Sequence, residues 1–307
     1  MDDFTASSTA LVTCRMRAVH GRLDVAPIID DPWGDTLVPV EVLRVLVEKM
    51  APDKIAGASE LSDAALAEAA DEFVRSFGPY GNVILRTRYT EDALAEAVAA
   101  GVQQYVIIGA GFDSFILRQP AWAKDLTIIE IDHPASQAFK RQRLKECGIE
   151  VPDNAHFTPA DLGKTTVRQA LESSVYDPAK PAFFAWLGVT MYLTREENLG
   201  TLRSVAEVSA PGSEIVFSYM HQALFDSAGA NVEGYDELES SVRAVGEPLV
   251  SGFNPDTLEA DLQSVGLELH EGLTDADLEQ RFDPKRVNGL EGFEISLIAR
   301  AGPQGAS

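Results

Sequence analysis

The chain has 307 residues, with 25 Lys or Arg against 48 Asp or Glu, so its formal net charge is −23. Such an acidic balance argues against a protein that binds nucleic acid or an anionic membrane, because both surfaces require a basic footprint. The composition, 45% hydrophobic and 24% charged, is that of an ordinary globular protein with an ample core.

Nothing in the sequence indicates secretion or a metal site. The two cysteines, Cys14 and Cys147, lie far apart, and no Cys/His cluster is present. The first ten residues are polar and acidic, unlike a signal peptide, and the longest apolar stretch, 182–193, is too short to span a bilayer. We therefore expect a cytoplasmic protein without a membrane segment or a bound metal.

The first 80 residues look mainly helical. Between residues 61 and 77, apolar side chains recur at helical spacing, and a following Gly-Pro pair predicts the end of that helix. A second helix is predicted from about Thr90 to Ala100. Thr90 suits its N-cap, and Gly101 suits the position just after its end.

After Gly101 the pattern changes to short apolar strands that alternate with helices, one of which is predicted at 196–210. The predicted strands are 104–108, 126–132, 155–158, 182–187, 214–219 and 293–300. This alternation predicts an α/β fold with a mostly parallel, doubly wound sheet. In such sheets, ligands bind beyond the carboxyl ends of the strands.

Acidic residues are concentrated between Gln222 and Asp283. This segment holds 15 acidic residues and two basic ones, which is more than half of the net charge. A solvated surface is the simpler interpretation, and a mobile cover over a binding site is the alternative.

A glycine turn, Gly109-Ala110-Gly111, follows the first predicted strand, with Asp113 close behind it. Two glycines let the backbone turn tightly and approach a ligand closely. A dinucleotide-binding GxGxxG motif would have a third glycine where this chain has Ser114. The turn therefore favours S-adenosylmethionine over NAD, and an ordinary structural turn is the alternative.

Carboxylates also end the second and third predicted strands. Glu130 and Asp132 are two residues apart on one sheet face and can accept hydrogen bonds from ribose hydroxyls. Asp161-Leu162 offers an acceptor for an adenine amine beside an apolar side chain. The alternatives are a helix-capping Asp132 and a turn-forming Asp161.

Taken together, these segments resemble the leucine carboxyl methyltransferase-like group of class I S-adenosylmethionine-dependent methyltransferases, especially its actinobacterial branch. The resemblance covers roughly residues 8–219. The segments that carry it are Thr9-Ala-Leu, Arg15-Met-Arg17-Ala18, Asp30-Asp-Pro32, Arg86-Thr-Arg-Tyr89, Gly109-Ala-Gly-Phe-Asp113-Ser, Glu130-Ile-Asp132-His-Pro134, Asp161-Leu162 and Gly188-Val-Thr-Met-Tyr192-Leu193.

The resemblance implies a Rossmann-like fold with a mostly parallel seven-stranded sheet and helices on both faces. On this basis we expect one domain overall, built from four parts. These are an N-terminal helical cap over 1–85, a cofactor-binding core over 86–221, an inserted acidic lid over 222–283 and a C-terminal strand over 284–307 that completes the sheet.

The resemblance also implies contacts to S-adenosylmethionine at three strand ends. The glycine turn with Asp113 would meet the methionine and ribose portion. The remaining contacts would be Asp132 and Glu130 to the ribose, and Asp161 and Leu162 to the adenine.

Arginines are expected to neutralise the cofactor carboxylate, since a guanidinium suits a carboxylate. Arg86 matches the arginine that the family has before the first strand, and either Arg15 or Arg17 matches the basic residue of the N-terminal helix. Family members often have Glu-Gly at the end of the fourth strand, where this chain has Leu187-Gly188. Leu187 is retained as a cofactor contact by position, although it cannot form the missing hydrogen bond.

The sequence also offers three candidates for the acceptor side: His221, Tyr192 and Tyr219. A carboxylate acceptor needs no base at neutral pH, whereas a phenol or alcohol usually does. His221 could take a phenolic proton. The alternatives are a surface histidine and tyrosines that only pack in the core.

We therefore predict an S-adenosylmethionine-dependent O-methyltransferase of secondary metabolism that acts on a carboxylate or phenolic hydroxyl of a small organic molecule. An NAD-dependent oxidoreductase and a non-catalytic cofactor-binding protein of the same fold are the alternatives. The expected partner is a small-molecule methyl acceptor, with no nucleic acid or membrane, and the protein is expected to be a monomer or homodimer.

Overall fold

The computed structural model describes residues 7–50, 55, 57–226, 235–293 and 295–305. Its strands are β1 Gln104–Ile108, β2 Thr127–Asp132, β3 Ala155–Pro159, β4 Ala182–Trp186, β5 Glu214–Met220, β6 Leu267–Thr274 and β7 Ser296–Pro303. They form one seven-stranded sheet in the order β3-β2-β1-β4-β5-β7-β6. The strands β1 to β5 pair in parallel, and β7 is antiparallel to both β5 and β6. The predicted mostly parallel sheet is confirmed.

The α-helices of the described residues precede the sheet and alternate with its strands. They are α1 Ser8–Leu23, α2 Trp33–Leu37, α3 Val40–Met50, α4 Asp63–Ser76, α5 Tyr80–Ala99, α6 Phe115–Arg118, α7 Pro134–Glu146, α8 Val167–Glu172, α9 Arg195–Val208, α10 Tyr235–Ala244, α11 Leu258–Ser264 and α12 Asp275–Phe282. No helix among these described residues is both long and apolar enough to cross a bilayer.

The central strands are apolar because the sheet is covered on both faces. Every residue of β1 and β4 is buried. Successive side chains of a strand point to opposite faces, and the two faces belong to separate apolar cores. Ile107 and Phe183 lie in one core, and Val106 and Phe184 lie in the other.

The helix predicted to begin at Thr90 begins ten residues earlier, after Pro79, and runs as α5 to Ala99. Thr90 is therefore not an N-cap. It lies buried inside the helix, where its Oγ1 donates to the Arg86 carbonyl at 2.7 Å. The prediction for Gly101 is confirmed, since it follows the helix with φ +113°. The expected boundary at residue 85 falls inside α5.

We expect the acidic segment 222–283 to be an inserted lid, but the structure shows that only part of it lies over the sheet. It contains β6, which is an edge strand of the sheet, and the helices α11 and α12. Because β6 alternates exposed residues such as Glu268 with residues that are mostly half-buried, its composition resembles that of a surface segment. The part that lies over the strand ends is α10 with residues 245–250, and residues 227–234 of the expected lid lie outside the described residues.

Candidate functional site

A cavity of about 690 Å³ lies at the carboxyl ends of β1, β2 and β4. Its wall contains the turn after β1, the last residue of β2 and the loop after β4. Side chains of α1, α5 and α10 complete the wall, together with residues 245–250. Because ligands of open α/β sheets bind at this edge, the cavity is the candidate functional site.

The glycine turn has a backbone conformation and a close packing that only glycine accommodates. Gly109 and Gly111 have φ values of +67° and +49°, which favour glycine. A Cβ atom at Gly109 would lie 2.6 Å from Val189 Cγ2, and one at Gly111 would lie 2.8 Å from Ala10 Cβ. Both glycines and Ala110 line the cavity, so the backbone itself can approach a ligand.

Asp132 lines the cavity directly below this turn. Its Oδ2 accepts from the Gly111 backbone N–H at 2.6 Å, and its Oδ1 accepts from the His133 N–H at 2.6 Å. Burial raises the pKa of Asp132, although these two donors act in the opposite direction. Each carboxylate oxygen keeps a second lone pair for a ligand hydroxyl. Asp113 also lines the cavity, and its Oδ1 accepts from the Phe115 N–H at 2.7 Å.

Glu130 lies beneath the turn and does not line the cavity. Its two carboxylate oxygens accept from Lys140 Nζ, both at 2.7 Å, and each side chain of the pair is only 1% exposed. Burial raises the pKa of Glu130 to about 7 against the opposing effect of Lys140. Lys140 Nζ also donates to the Asp113 carbonyl at 2.7 Å, so the pair supports the turn from below.

Asp161 and Leu162 follow β3 and are also absent from the cavity wall. Asp161 is bound to Lys164 Nζ at 2.6 Å and accepts from the Gly163 N–H at 3.1 Å. The ammonium of Lys164 lowers the pKa of Asp161. Leu162 packs against the apolar core on one face of the sheet. The structure therefore does not bring this pair together with the glycine turn around the cavity.

The structure separates the two arginines of α1. Arg15 is buried between Asp71, at 2.5 Å, and Asp35, and it does not line the cavity. Arg17 does line the cavity, but Asp31 at 2.8 Å already balances its charge. Its Nη2 donates to the Phe112 carbonyl at 2.7 Å, which ties α1 to the glycine turn.

Arg86 lines the cavity from α5. Its Nη1 donates to Asn82 Oδ1 at 2.9 Å, and no ion pair joins it to a carboxylate in the described part of the chain. Burial lowers the pKa of Arg86 to about 10. The guanidinium lies against Gly188 at the end of β4, beside Leu187, which also lines the cavity. An enclosed cation without an anionic partner is suited to bind an anionic ligand.

Of the three acceptor-side candidates, only Tyr192 lines the cavity. Burial raises the pKa of Tyr192 to about 12, and Thr9 acts in the opposite direction. Tyr219 is 2% exposed and packs in the core against Phe253. His221 caps a short 3₁₀ turn, where its Nδ1 accepts from the Ala223 N–H at 3.0 Å.

The cavity wall also includes a roof, formed by α10 and residues 245–250 of the expected lid, whose apolar inner face we did not predict. Leu238 and Val242, one helical turn apart, point inward, while Asp236 is exposed on the outside. Their spacing is a signal that could have revealed the apolar face. Glu247 joins the roof to the start of α1 by accepting from the Ser8 N–H at 2.8 Å.

The chain is similar to methyltransferases over most of its length. The family model described as leucine carboxyl methyltransferase matches residues 10–206. A Bacillus subtilis protein with the provisional name S-adenosyl-L-methionine-dependent methyltransferase YktD is 31% identical over 293 residues, 94% of this chain and 95% of that protein. A Mycobacterium tuberculosis protein with the same kind of provisional name, Rv3787c, is 31% identical over 226 residues, 73% of this chain and 68% of that protein.

Solved structures support the same fold. A provisionally named methyltransferase from Thermobifida fusca superposes with a TM-score of 0.55 at 17% identity, covering 86% of this chain and 94% of that one. A DUF574 family protein from Streptomyces avermitilis superposes with a TM-score of 0.54 at 16% identity, covering 85% and 96% of the two chains. At such identities the likeness concerns the Rossmann-like fold alone.

Proposed function

Because the chain belongs to the leucine carboxyl methyltransferase family, we propose that it transfers a methyl group to an oxygen atom of a small, largely apolar acceptor. The chain is a methyltransferase whose cofactor is S-adenosylmethionine. When bound, this cofactor supplies a methyl group on a cationic sulfur, which departs as a neutral thioether. The chain's own residues then have to align the acceptor and exclude water.

The cavity fits this cofactor. Gly109, Ala110 and Gly111 line the cavity with little side-chain bulk, which suits close contact of their backbone with the ribose and the methionine portion. Asp132 would accept from the ribose hydroxyls. Arg86, whose guanidinium has no carboxylate partner in the described residues, would bind the amino-acid carboxylate, and Arg17 would add positive charge nearby.

A carboxylate is the acceptor that the lining residues favour. No histidine is found among the described residues of the cavity wall, and the raised pKa of Tyr192 keeps its hydroxyl protonated at neutral pH. A carboxylate nucleophile needs no base, and a neutral Tyr192 hydroxyl can donate a hydrogen bond to position it. The roof and the residues around it are largely apolar, including Met50, Met191 and Met220. The acceptor would therefore be a small organic acid with an apolar body.

A phenolic hydroxyl is the second candidate for the acceptor. It would require a base, and Glu247 is the carboxylate of the roof that lines the cavity. This carboxylate already accepts from Ser7 Oγ at 3.2 Å, from the Ser8 N–H and from Thr9 Oγ1. These three donors already occupy the Glu247 oxygens that would have to accept the phenolic proton, so the phenol is the less favoured acceptor.

A turnover screen with methyl-labelled S-adenosylmethionine against apolar carboxylic acids and phenols tests this proposal. We expect labelled products that mild alkali hydrolyses, because methyl esters are labile to base and aryl methyl ethers are not. Alkali-stable products would contradict the carboxylate acceptor and indicate a phenolic one. Binding of S-adenosylhomocysteine without any turnover would support the non-catalytic alternative, and binding of NAD alone would support the oxidoreductase.

The proposed partners follow from charge. With a net charge of −23, the protein would act on a diffusible small molecule and would bind neither nucleic acid nor an anionic membrane. We also propose that the protein acts as a monomer or homodimer. Light scattering of the purified protein would measure its molar mass in solution and so its oligomeric state.

A further inference from the structure

A buried carboxylate outside the cavity wall is connected to the cavity through one side chain. Asp275 begins α12 and is only 2% exposed. Its Oδ1 and Oδ2 accept from Asn82 Nδ2 at 2.9 and 3.0 Å, and its Oδ2 also accepts from the Phe293 N–H at 2.7 Å. Asn82 and Phe293 both line the cavity, whereas Asp275 does not.

The contact with Asp275 determines which way the Asn82 amide faces. An ionised carboxylate can only accept hydrogen bonds, so the amide must direct its NH₂ group toward Asp275. The amide oxygen is thereby directed to the other side, where it accepts from Arg86 Nη1 at 2.9 Å. Asn82 and Arg86 are one turn apart on α5, so the three side chains form a continuous chain from Asp275 to the cavity.

We propose that Asp275 is a positioning residue for ligand recognition: acting through Asn82, it holds the Arg86 guanidinium where the carboxylate of the cofactor binds. The inference rests on the proposed function. According to this inference, a residue of α12, a helix outside the cavity wall, affects the binding of the cofactor carboxylate and of no other cofactor group.

Charge and burial support this assignment. In the described residues no cation forms a direct ion pair with Asp275. The charged groups that act on it are Arg86 on α5, which favours its ionised form, and Glu279 on α12, which opposes it. Enclosing such a carboxylate is costly unless its hydrogen bonds are satisfied. Asp275 also holds the loop between α12 and β7 through the Phe293 N–H. Glu279 holds the same loop by accepting from the Gly292 N–H at 2.5 Å, so the conformation of the loop does not depend on Asp275 alone.

The test compares two ligands that differ only in the group that Arg86 would bind. These are S-adenosylhomocysteine and its decarboxylated analogue, with each affinity measured by calorimetry. In Asp275→Asn, the new amide can donate to Asn82 Oδ1, which turns the Asn82 oxygen away from Arg86. We expect S-adenosylhomocysteine to bind about tenfold more weakly and the decarboxylated analogue to bind within about twofold of the wild-type affinity.

Two further variants separate positioning from folding. Asn82→Ala removes the acceptor of Arg86 directly and should reproduce the selective loss. In an Arg86→Leu background, Asp275→Asn should cause no additional loss of affinity for S-adenosylhomocysteine, since the effects of mutations in one hydrogen-bond network are not additive. Glu279→Gln is the matched control, because it removes a contact to Gly292 without contacting Asn82, and loss of its charge only favours the ionised form of Asp275. The affinity for S-adenosylhomocysteine relative to the decarboxylated analogue should therefore not decrease.

The outcomes are distinct. An equal loss for both ligands, no loss for either, or additive losses with Arg86→Leu would overturn the positioning role of Asp275 and leave the proposed function standing. If the wild-type protein bound neither ligand, the proposed function itself would be refuted, and the role of Asp275 with it. Thermal melting of each variant confirms that the compared proteins are folded.

Discussion

Arg86 and Gly188 are in such close contact that a Cβ atom at Gly188 would lie 2.7 Å from Arg86 Nη2. Gly188 also has φ +70°, which a larger residue rarely adopts. The absence of a side chain at Gly188 therefore lets the guanidinium pack against the backbone just after β4. This contact places Arg86, which has no carboxylate partner among the described residues, beside the loop of Tyr192.

The first prediction follows from this contact. In Gly188→Ala, the methyl group would push the guanidinium away, and we expect S-adenosylhomocysteine to bind about tenfold more weakly by calorimetry. Gly148→Ala is the matched control, because Gly148 has a similar φ of +67° but nothing within 4 Å of an added Cβ. The control should lose stability without losing affinity, and an equal loss of affinity in both variants would contradict the role of the contact.

Asp132 should contribute more to cofactor binding than Asp161. Asp132→Ala removes a cavity-lining acceptor and leaves the Gly111 N–H without its partner at 2.6 Å. We expect a loss of about 2 kcal/mol in the binding free energy of S-adenosylhomocysteine. In Asp161→Ala the affinity should change by less than about twofold, because Asp161 does not line the cavity. A larger loss would indicate that the loop after β3 moves onto the adenine.

The Glu130–Lys140 pair should matter for stability rather than for direct ligand contact. Glu130→Gln would leave the Lys140 ammonium, 1% exposed, without its counterion. We expect the free energy of unfolding in urea to fall by about 3 kcal/mol. Lys164→Gln, which breaks the exposed pair with Asp161, is the control and should leave the free energy of unfolding nearly unchanged. Similar losses in the two variants would contradict the structural role of the buried pair.

Binding of the cofactor carboxylate should weaken at acidic pH. Burial raises the pKa of Asp275 to about 7, and only its ionised form can accept all of its hydrogen bonds. As the pH falls through about 7, protonation of Asp275 should therefore release Asn82, and the affinity for S-adenosylhomocysteine should decrease. Calorimetry across this range measures the effect. The decarboxylated analogue and the Asp275→Asn variant should both lack this component, and its persistence in the variant would assign it to another group.

The sequence identified most strands because their apolar runs are local. The strands β1, β2, β3, β4 and β5 lie within one or two residues of their predicted bounds. Thr90 was assigned incorrectly because a threonine before acidic residues has the composition of an N-cap, yet here it continues a helix that begins after Pro79. The edge strand β6 was missed because Glu271 occupies a half-buried position between Leu269 and Leu273, where a charged residue interrupts the apolar alternation.

The sequence by itself determined the family, the five parallel strands of the sheet and the glycine turn with Asp132. These depend on residues close together in the chain, where spacing alone specifies the backbone conformation. Only the tertiary structure decided that Arg17 and not Arg15 reaches the cavity, and that Glu130 is neutralised from below by Lys140. Those outcomes depend on which distant carboxylate or ammonium group packs against each side chain, and local spacing carries no information about such pairings.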